Sequence, residues 1–345
     1  MVETNRDEYV IHGFPRSLFT CKLEAAFGFY GLPFRRVPRG TGVDDELGRR
    51  AGTHQIPILE TPERWALADT TPILGLLDSR VPSRALFPSG PLGVLVHVIE
   101  EILDEWFARV MVHYRWHYAE NTRDVIEALA GKALTLEQAR THPLAQWGPR
   151  ACRATGTEDP AQQEAAEREY LAMLDALEHQ LASTRFALGD RPTAVDAILL
   201  GGLHAHTNAD PVPDLSAYER VVAWAEGGAA ASSEAAWGEL SPFPESTPFA
   251  RHLLGVGATQ YAPFVIANAE ARSAGEKVFE IETYGENVTY LARDYPEASR
   301  RLIQSRIRDQ LCDAERAAVE GWLREAGLNC FLPSGGLGPR PAAQG

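Results

Sequence analysis

The sequence predicts an α/β domain, then a largely α-helical domain, then a region in which helices surround one β-hairpin. Three observations lead to this fold class. Roughly the first 80 residues alternate short β-prone and longer helix-prone segments, residues 79–91 hold three prolines and a glycine, and amphipathic helical patterns dominate from Leu92 onward. The predicted units are residues 7–82, 92–228 and 246–333, with 334–345 as a disordered tail.

Composition excludes several classes of protein. The chain has 345 residues, enough for about two domains, and its formal net charge of −14 disfavours nucleic acid and acidic membrane surfaces as partners. No stretch approaches the roughly 18 apolar residues that span a bilayer, and the opening "MVETNRDEYV" lacks the apolar core of a signal peptide. We therefore expect a cytoplasmic protein whose four cysteines are free thiols.

The first unit is predicted to run βαβ and, after a connection, ββα. The helix at 17–31 has apolar side chains on one side and Gly31 as its stop. Because this helix separates the first two strands in the chain, those strands are expected to be parallel. The predicted strands are 8–13, 33–38, 57–60 and 65–68, and the second major helix is 69–80.

The later elements are mostly helices. Asp159 and Pro160 are typical of an N-cap followed by the first helical turn. The segment 226–236, rich in Ala, Gly and Ser, predicts a flexible surface connection. The predicted helices are 93–118, 159–183, 193–206, 214–225 and 249–275, followed by a hairpin at 277–293 and two further helices.

Three short pieces of the first unit carry candidate binding chemistry. Ser17 begins a helix, Ile56-Pro57 precedes a strand, and the acid–hydroxyl pair Asp69-Thr70 opens another helix. Each piece alone is typical of ordinary caps and turns. Their order along the chain is the informative feature.

In this order the three pieces resemble the thioredoxin-like half of cytosolic glutathione transferases. Those proteins have a catalytic Ser, Tyr or Cys after the first strand, a cis-proline before the third strand and an acid–hydroxyl pair opening helix three. The run "SLFTCK", from Ser17, is similar to the family motif Ser-Pro-hydrophobic-x-x-Lys, with Leu18 in place of proline. Downstream, "FALGDRPTAVDAILLGGLHAH" is similar to the signature of the helical domain, with Thr193 and Asp196 at capping-box spacing.

The resemblance covers about residues 8–225. It implies an α/β thioredoxin-like N-terminal domain followed by an all-α glutathione-transferase-type C-terminal domain. The helix–hairpin–helix region at 246–333 is an added extension that the ordinary family plan lacks, and it is expected to pack on the helical domain. The resemblance also implies a homodimer.

The resemblance further implies glutathione as co-substrate. Thr70 would donate to the γ-glutamyl carboxylate at a helix N-terminus, and Asp69 would accept from the α-amino group. The main chain of Ile56, beside Pro57 in a cis peptide, would pair with the cysteinyl amide as an added strand does. Gln55 would reach the glycyl end.

Ser17 would then be the catalytic residue. The free thiol of glutathione has a pKa of about 8.5, and the Ser17 hydroxyl would stabilise its thiolate form. The alternative role of Ser17 is simple N-capping of the helix. Cys21, one turn on, is expected to be a core thiol, with a redox site as the alternative. The predicted function is a glutathione S-transferase-like enzyme that attacks a small electrophile, as in detoxification. The alternative is a non-catalytic binding or scaffold protein similar to metaxins.

Two further side chains are candidates for the electrophile pocket. Arg109 and His113 lie on an aromatic-rich helix whose counterpart lines that pocket in the transferases, although aromatic residues at this spacing are also typical of a core. His113 with His117, and His204 with His206, have spacings that metal ligands use. No third ligand recurs at a suitable distance in sequence, so no metal is expected.

Overall fold

A computed structural model describes residues 8–227 and 237–333. The predicted tail at 334–345, most of the predicted flexible segment at 226–236, and the outer ends of the first two predicted units at 7 and 228 lie outside these residues. Within the two described ranges, no helix combines the length and apolar character needed to cross a membrane.

A four-stranded sheet forms the centre of the N-terminal domain, in the order β2-β1-β3-β4. Strand β1 is parallel to β2, with Tyr9 opposite Phe34, and β3 is antiparallel to both β1 and β4. The strands are β1 (Tyr9–Gly13), β2 (Phe34–Pro38), β3 (Ile58–Glu60) and β4 (Ala66–Leu67). With helices α1 (Leu18–Tyr30), α2 (Glu46–Ala51) and α3 (Thr70–Arg80), the order βαβαββα confirms the thioredoxin-like fold.

The ends of helix α1 are defined by its local sequence. Ser17 is the N-cap, and its hydroxyl oxygen accepts a hydrogen bond from the main-chain N–H of Thr20 at 3.4 Å. Gly31 ends the helix with a φ of 68°, a left-handed conformation that glycine adopts without a steric penalty. Leu23 and Phe27 are completely buried on the face toward the core.

The all-α second domain is confirmed, with helices at 119–155 that the sequence patterns did not locate. A π-helical turn, Ile102–Phe107, joins α4 to α5, so the predicted helix over 93–118 is continuous with one wide turn. Asp159 is at the N-cap of α9 but its side chain makes no capping hydrogen bond. The helices are α4 (Gly90–Glu101), α5 (Ala108–His117), α6 (Ala119–Ala130), α7 (Leu136–Thr141), α8 (Trp147–Thr155), α9 (Pro160–Gln180), α10 (Ala194–Gly202) and α11 (Glu219–Gly227).

The capping box of α10 has the geometry that its sequence predicts. The carboxylate of Asp196 accepts from the main-chain N–H of Thr193 at 2.7 Å and from its hydroxyl at 3.0 Å. Both side chains are fully buried. This cap therefore fixes the start of a helix that lies in the core.

The extension has the predicted helix–hairpin–helix order. A π-helical turn, Gly257–Tyr261, joins its first two helices, and Tyr284 and Gly285 form the hairpin turn with φ values of 53° and 81°. The elements are α12 (Pro248–Val256), α13 (Ala262–Ala274), β5 (Val278–Thr283), β6 (Glu286–Leu291), α14 (Asp294–Gln310) and α15 (Asp313–Glu325).

The three parts of the chain share one hydrophobic core, which extends from Tyr9 to Phe331. Helices α1 and α10 approach so closely that a Cβ atom on Gly201 would lie 2.7 Å from the Leu18 carbonyl oxygen. The extension also reaches α4, because Tyr261 and Ser299 both donate hydrogen bonds from their hydroxyls to Glu101. The elements that surround the site are thus held by continuous packing.

Candidate functional site

A cavity of about 350 Å³ lies between the N-terminal domain and the helical parts of the chain. Its size is within the range of small-molecule sites. The first wall comes from the N-terminal domain and consists of Phe19, Thr53, Gln55, Ile56, Pro57, Ala68, Asp69 and Thr70. The second wall comes from α4–α5, α8 and the extension and consists of Asp104, Glu105, Ala108, Arg109, Val112, Thr155, Arg293 and Tyr295.

The part of the first wall before β3 presents main chain to the cavity. The Ile56–Pro57 peptide is cis, as predicted from the sequence. Gln55 is exposed, and among the described residues the main chain of Ile56 has no hydrogen-bond partner. An extended main chain with free polar groups can pair with a peptide ligand as a neighbouring strand would.

The N-terminus of α3 forms the other part of the first wall. Asp69 caps the helix, accepting from the main-chain N–H of Thr71 at 3.4 Å, and has a φ of 68°. Thr70 is 4% exposed, and its hydroxyl has no partner in the described part of the chain. Burial raises the pKa of the Asp69 carboxyl, and the nearby Asp104 acts in the same direction. This arrangement offers a helix N-terminus and a hydroxyl to an anion, and a carboxylate to a cation.

Ser17 is half-buried at the start of α1 but does not line the cavity, whereas Phe19 does. The loop before it is fixed by α5, because Nη1 of Arg115 donates to the carbonyl oxygen of Arg16 at 2.5 Å. Cys21 is buried and its Sγ donates to the carbonyl oxygen of Pro15 at 3.2 Å. Burial raises the pKa of this thiol to about 12, so Cys21 is protonated at neutral pH.

The charged side chains of the second wall have partners. Nζ of Lys22, from α1, lies 2.5 Å from a carboxylate oxygen of Asp104. Nη2 of Arg293 lies 3.0 Å from Oε2 of Glu105. Burial raises the pKa of the Glu105 carboxyl to about 7, and Arg293 opposes that shift.

His113 and His204, one from each histidine pair that the sequence singled out, have partners within the protein. His113 is completely buried, with Nε2 2.6 Å from a carboxylate oxygen of Glu167, and burial lowers its pKa. Nε2 of His204 lies 2.9 Å from the carbonyl oxygen of Ala225. In the ranges that the structure describes, no group of three His, Cys, Asp or Glu side chains is placed to hold a metal ion.

The cavity brings together most, but not all, of the residues that the sequence singled out. It collects Gln55, Ile56, Pro57, Asp69, Thr70 and Arg109, and does not include Ser17 or His113. Sequence reasoning missed the contribution of the extension, Arg293 and Tyr295. These two residues lie where a hairpin leads into a charged helix, and their local pattern is that of an ordinary solvated segment.

Residues 160–227 match the family described as glutathione S-transferase, C-terminal domain. The match begins at the first residue of α9 and ends at the last residue of α11, so it falls within the second domain. No curated protein is significantly similar to this chain.

Several solved structures are similar to this chain. A maleylacetoacetate isomerase from Anaeromyxobacter dehalogenans 2CP-1 is 21% identical, with a TM-score of 0.38, over 70% of this chain and 97% of that chain. A glutathione S-transferase from Methylobacterium radiotolerans JCM 2831, in complex with glutathione sulfonate, is 18% identical, with a TM-score of 0.43, over 68% of this chain and 99% of that chain. One from Rhodospirillum rubrum F11 is 15% identical, with a TM-score of 0.45, over 71% of this chain and 99% of that chain.

Proposed function

We propose that this chain, whose residues 160–227 match the C-terminal domain of glutathione S-transferases, binds reduced glutathione and joins its thiol sulfur to a small electrophile. One observation carries the proposal. The first wall of the cavity consists largely of residues whose types and positions suit the glutathione backbone, namely Gln55, Ile56, Pro57, Asp69 and Thr70.

Each end of the tripeptide has a complementary group on this wall. The unpartnered hydroxyl of Thr70 and the N-terminus of α3 would bind the γ-glutamyl carboxylate, while Asp69 would accept from the α-amino group. The free main chain of Ile56 would pair with the cysteinyl residue. Gln55 would bind the glycyl carboxylate from its exposed position.

The sulfur would then lie toward the start of α1. We assign Ser17 as the donor that stabilises the thiolate, because it is half-buried at the N-terminus of this 13-residue helix. A donor hydroxyl and the helix dipole both favour the charged form of the thiol and lower its pKa. The proton goes to solvent, and the thiolate forms a C–S bond at the electrophilic carbon while a leaving group departs from that carbon with its bonding electron pair.

Glutathione binding by the wild type tests the first part of the proposal. We expect isothermal titration calorimetry to give a saturable signal that Thr70→Val weakens by about tenfold or more, because one charge-assisted hydrogen bond is lost. Thr141→Val is the matched control, since Thr141 is exposed on α7. No glutathione binding by the folded wild type would refute the proposal.

The role of Ser17 is tested by conjugation kinetics. Ser17→Ala should lower kcat by at least about tenfold with little change in glutathione affinity, because the donor acts on the thiolate. Thr135→Ala, which removes the N-cap of α7 on the surface, is the control for the loss of a cap. Unchanged activity in Ser17→Ala together with loss of activity in Cys21→Ala would assign the chemistry to a cysteine instead.

A non-catalytic binding or scaffold role is the second candidate function. The observation that favours it is the position of Ser17 outside the lining of the cavity, with Leu18 where the transferase motif has proline. In that case glutathione binds and Ser17→Ala changes nothing, because no electrophile is conjugated. Wild-type conjugation above the uncatalysed rate excludes this second function.

A further inference from the structure

One carboxylate in the second wall of the cavity is only partly bound by the protein. The Glu105 side chain is 8% exposed, and its Oε2 atom lies 3.0 Å from Nη2 of Arg293. The other oxygen, Oε1, has no hydrogen-bond partner among the described residues and, unlike Nε of Arg293, is not sealed from solvent. A carboxylate oxygen that lines a cavity in this way can accept a proton from a ligand.

Glu105 belongs to the π-helical turn Ile102–Phe107, which packs against α1 through an ion pair. In this turn, a carboxylate oxygen of Asp104 lies 2.5 Å from Nζ of Lys22. Lys22 is one helical turn along α1 from Phe19, which lines the cavity. Wide turns of this type often occur at functional sites. The turn therefore holds the Glu105 carboxyl beside the helix toward which the proposed function directs the sulfur.

Three carboxylates belong to the described residues that line the cavity, and two of them have other roles. Asp69 caps α3 and is assigned to the α-amino group of glutathione. Asp104 is held by the Lys22 ammonium at 2.5 Å, and a close cation favours the charged form of a carboxyl, which makes it a weak base. Glu105 is left as the carboxylate with an open oxygen and no assigned partner on glutathione.

The charges around Glu105 come from both walls of the cavity. Burial raises the pKa of its carboxyl to about 7, Arg293 opposes this shift, and Asp104 adds to it. Asp69, on the first wall, also raises this pKa, so the two carboxyls interact across the cavity. A base whose pKa lies near the pH of the surrounding solution is efficient in proton transfer.

Two further titratable groups face Glu105 from behind the cavity wall. The carboxylate of Glu101, one turn earlier, accepts hydrogen bonds from the hydroxyls of Tyr261 and Ser299. Burial raises the pKa values of Glu101 and Tyr261, and the charge of Glu105 acts in the same direction. Both groups are bound to each other and lie outside the lining of the cavity, so Glu105 is the member of this cluster that a ligand can reach.

We propose that Glu105 is a general base that takes the thiol proton from bound glutathione. The inference rests on the proposed function and adds a catalytic residue to it. With the cysteinyl main chain paired to Ile56 on the first wall, the cysteinyl side chain extends away from that wall toward the second. The S–H bond breaks, its electron pair stays on sulfur, and the proton forms an O–H bond at Oε1 of Glu105. Glu105 then releases the proton to solvent.

The pH dependence of conjugation tests this role. With 1-chloro-2,4-dinitrobenzene as the electrophile, the C–S bond forms at the carbon that carries chlorine, and chloride leaves with the electron pair of the C–Cl bond. We expect kcat/KM of the wild type for glutathione to be bell-shaped, rising through a pKa of about 7 and falling above the thiol pKa of about 8.5. The uncatalysed rate is subtracted at each pH.

Two substitutions should change this profile in different ways. Glu105→Gln should remove the rising limb at a pH of about 7 and lower kcat/KM there by at least about tenfold. Arg293→Gln should move the rising limb to higher pH by about one pH unit, because the Arg293 charge holds down the pKa of Glu105. In the Glu105→Gln background, Arg293→Gln should leave the profile unchanged. Glu164→Gln is the control, because the Glu164 side chain is 76% exposed on α9 and pairs with Arg168.

Binding of S-methylglutathione separates this inference from the proposed function. This analogue has no thiol proton, so isothermal titration calorimetry should give equal affinities for the wild type and Glu105→Gln. If the wild type binds neither glutathione nor the analogue, the proposed function is refuted, and this inference with it. If the wild type conjugates glutathione and Glu105→Gln keeps both the rising limb and the wild-type kcat/KM, only this inference is overturned. Should Glu105→Gln fail to bind the analogue, the Arg293→Gln profile decides, and an unmoved rising limb overturns the inference.

Discussion

Lys22 joins the N-terminal domain to the helical domain through a buried charge. It is completely buried, and its Nζ lies 3.1 Å from the hydroxyl of Thr71 and 2.5 Å from a carboxylate oxygen of Asp104, and also contacts Glu100. The sequence motif placed a lysine here, but not its partners, which lie about 80 residues further along the chain. Because a buried ion is tolerated only when it is paired, this side chain has a structural role.

Replacing Lys22 with methionine should destabilise the protein strongly. Lys22→Met retains the apolar stem but leaves two carboxylates without their shared cation, and breaking a buried pair in this way costs about 3–5 kcal/mol. Chemical denaturation measures the change in the free energy of unfolding. Lys132→Met, on the surface, should change it by no more than about 0.5 kcal/mol, and an equally small effect at Lys22 would contradict the expected role.

The titration of Glu100 gives a prediction for the pH dependence of stability. Burial raises the pKa of Glu100 from 4.5 to about 7, with Lys22 opposing the shift. A carboxyl whose pKa is higher in the folded chain than in the unfolded chain stabilises the fold while it is protonated. This contribution is lost as the pH rises from the pKa of the unfolded chain through the pKa of the folded chain. The wild type should therefore become less stable, through this group, between pH 4.5 and about 7.

Glu100→Gln removes this titration while keeping an acceptor for Lys22 and Thr71. Relative to the wild type, the variant should gain about 1–3 kcal/mol in the free energy of unfolding between pH 4.5 and pH 8. Denaturation across that pH range measures the difference, with Glu120→Gln on the surface as the matched control. Parallel pH profiles for Glu100→Gln and the wild type would show that Glu100 is not the group responsible.

At the scale of elements, close helix packing depends on single glycines. A Cβ atom on Gly201 would lie 2.7 Å from the Leu18 carbonyl oxygen and 2.8 Å from the Lys22 main-chain nitrogen. On Gly202 it would lie 3.5 Å from its nearest neighbour, the methyl end of Met111. Adjacent residues in one helix thus differ in whether they tolerate a methyl group.

Gly201→Ala should separate α10 from α1 and destabilise the protein by about 1–3 kcal/mol, as overpacking typically does. Gly202→Ala should be neutral or slightly stabilising, because alanine is favoured over glycine inside a helix by about 1 kcal/mol. Thermal unfolding followed by circular dichroism compares the two variants. Equal effects would show that α1 and α10 do not pack as closely as the structure indicates.

Elements with strong local signals were predictable from the sequence. Gly31 as the stop of α1, the capping box of Thr193 and Asp196, and the order of strands and helices in the first domain depend on neighbouring residues. The π-helical turn at Ile102–Phe107 was not predictable, because its apolar spacing is close to that of an α-helix. The presence of Arg293 in the cavity depends on tertiary packing, which no local pattern encodes.

At the scale of the whole molecule, the extension is part of the common core and part of the site. Phe331 is completely buried near its end, and its ring centre lies 6.4 Å from that of Tyr261. Arg293 and Tyr295 complete the second wall of the cavity. From the sequence, this region was expected only to pack on the helical domain. The homodimer stays a prediction.

A substitution that removes a large buried side chain from the extension should therefore destabilise the N-terminal domain as well. Phe331→Ala is expected to lower the free energy of unfolding by about 3–5 kcal/mol. Hydrogen exchange should show the same loss of protection in β3 as in α13 if both unfold together. Leu136→Ala, 45% exposed on α7, is the control. Loss of protection confined to residues 246–333 would mean that the extension unfolds independently.

The composition of the cavity also has a consequence for protein synthesis. Its lining runs from Phe19 to Tyr295, so the residues of the pocket are spread over most of the translated message. A nascent chain can fold its first sheet early on the ribosome, but it has no complete pocket until the codons for the hairpin and the start of α14 have been read. Premature termination before that point would release a polypeptide that retains the first wall of the cavity and lacks Arg293 and Tyr295 of the second wall.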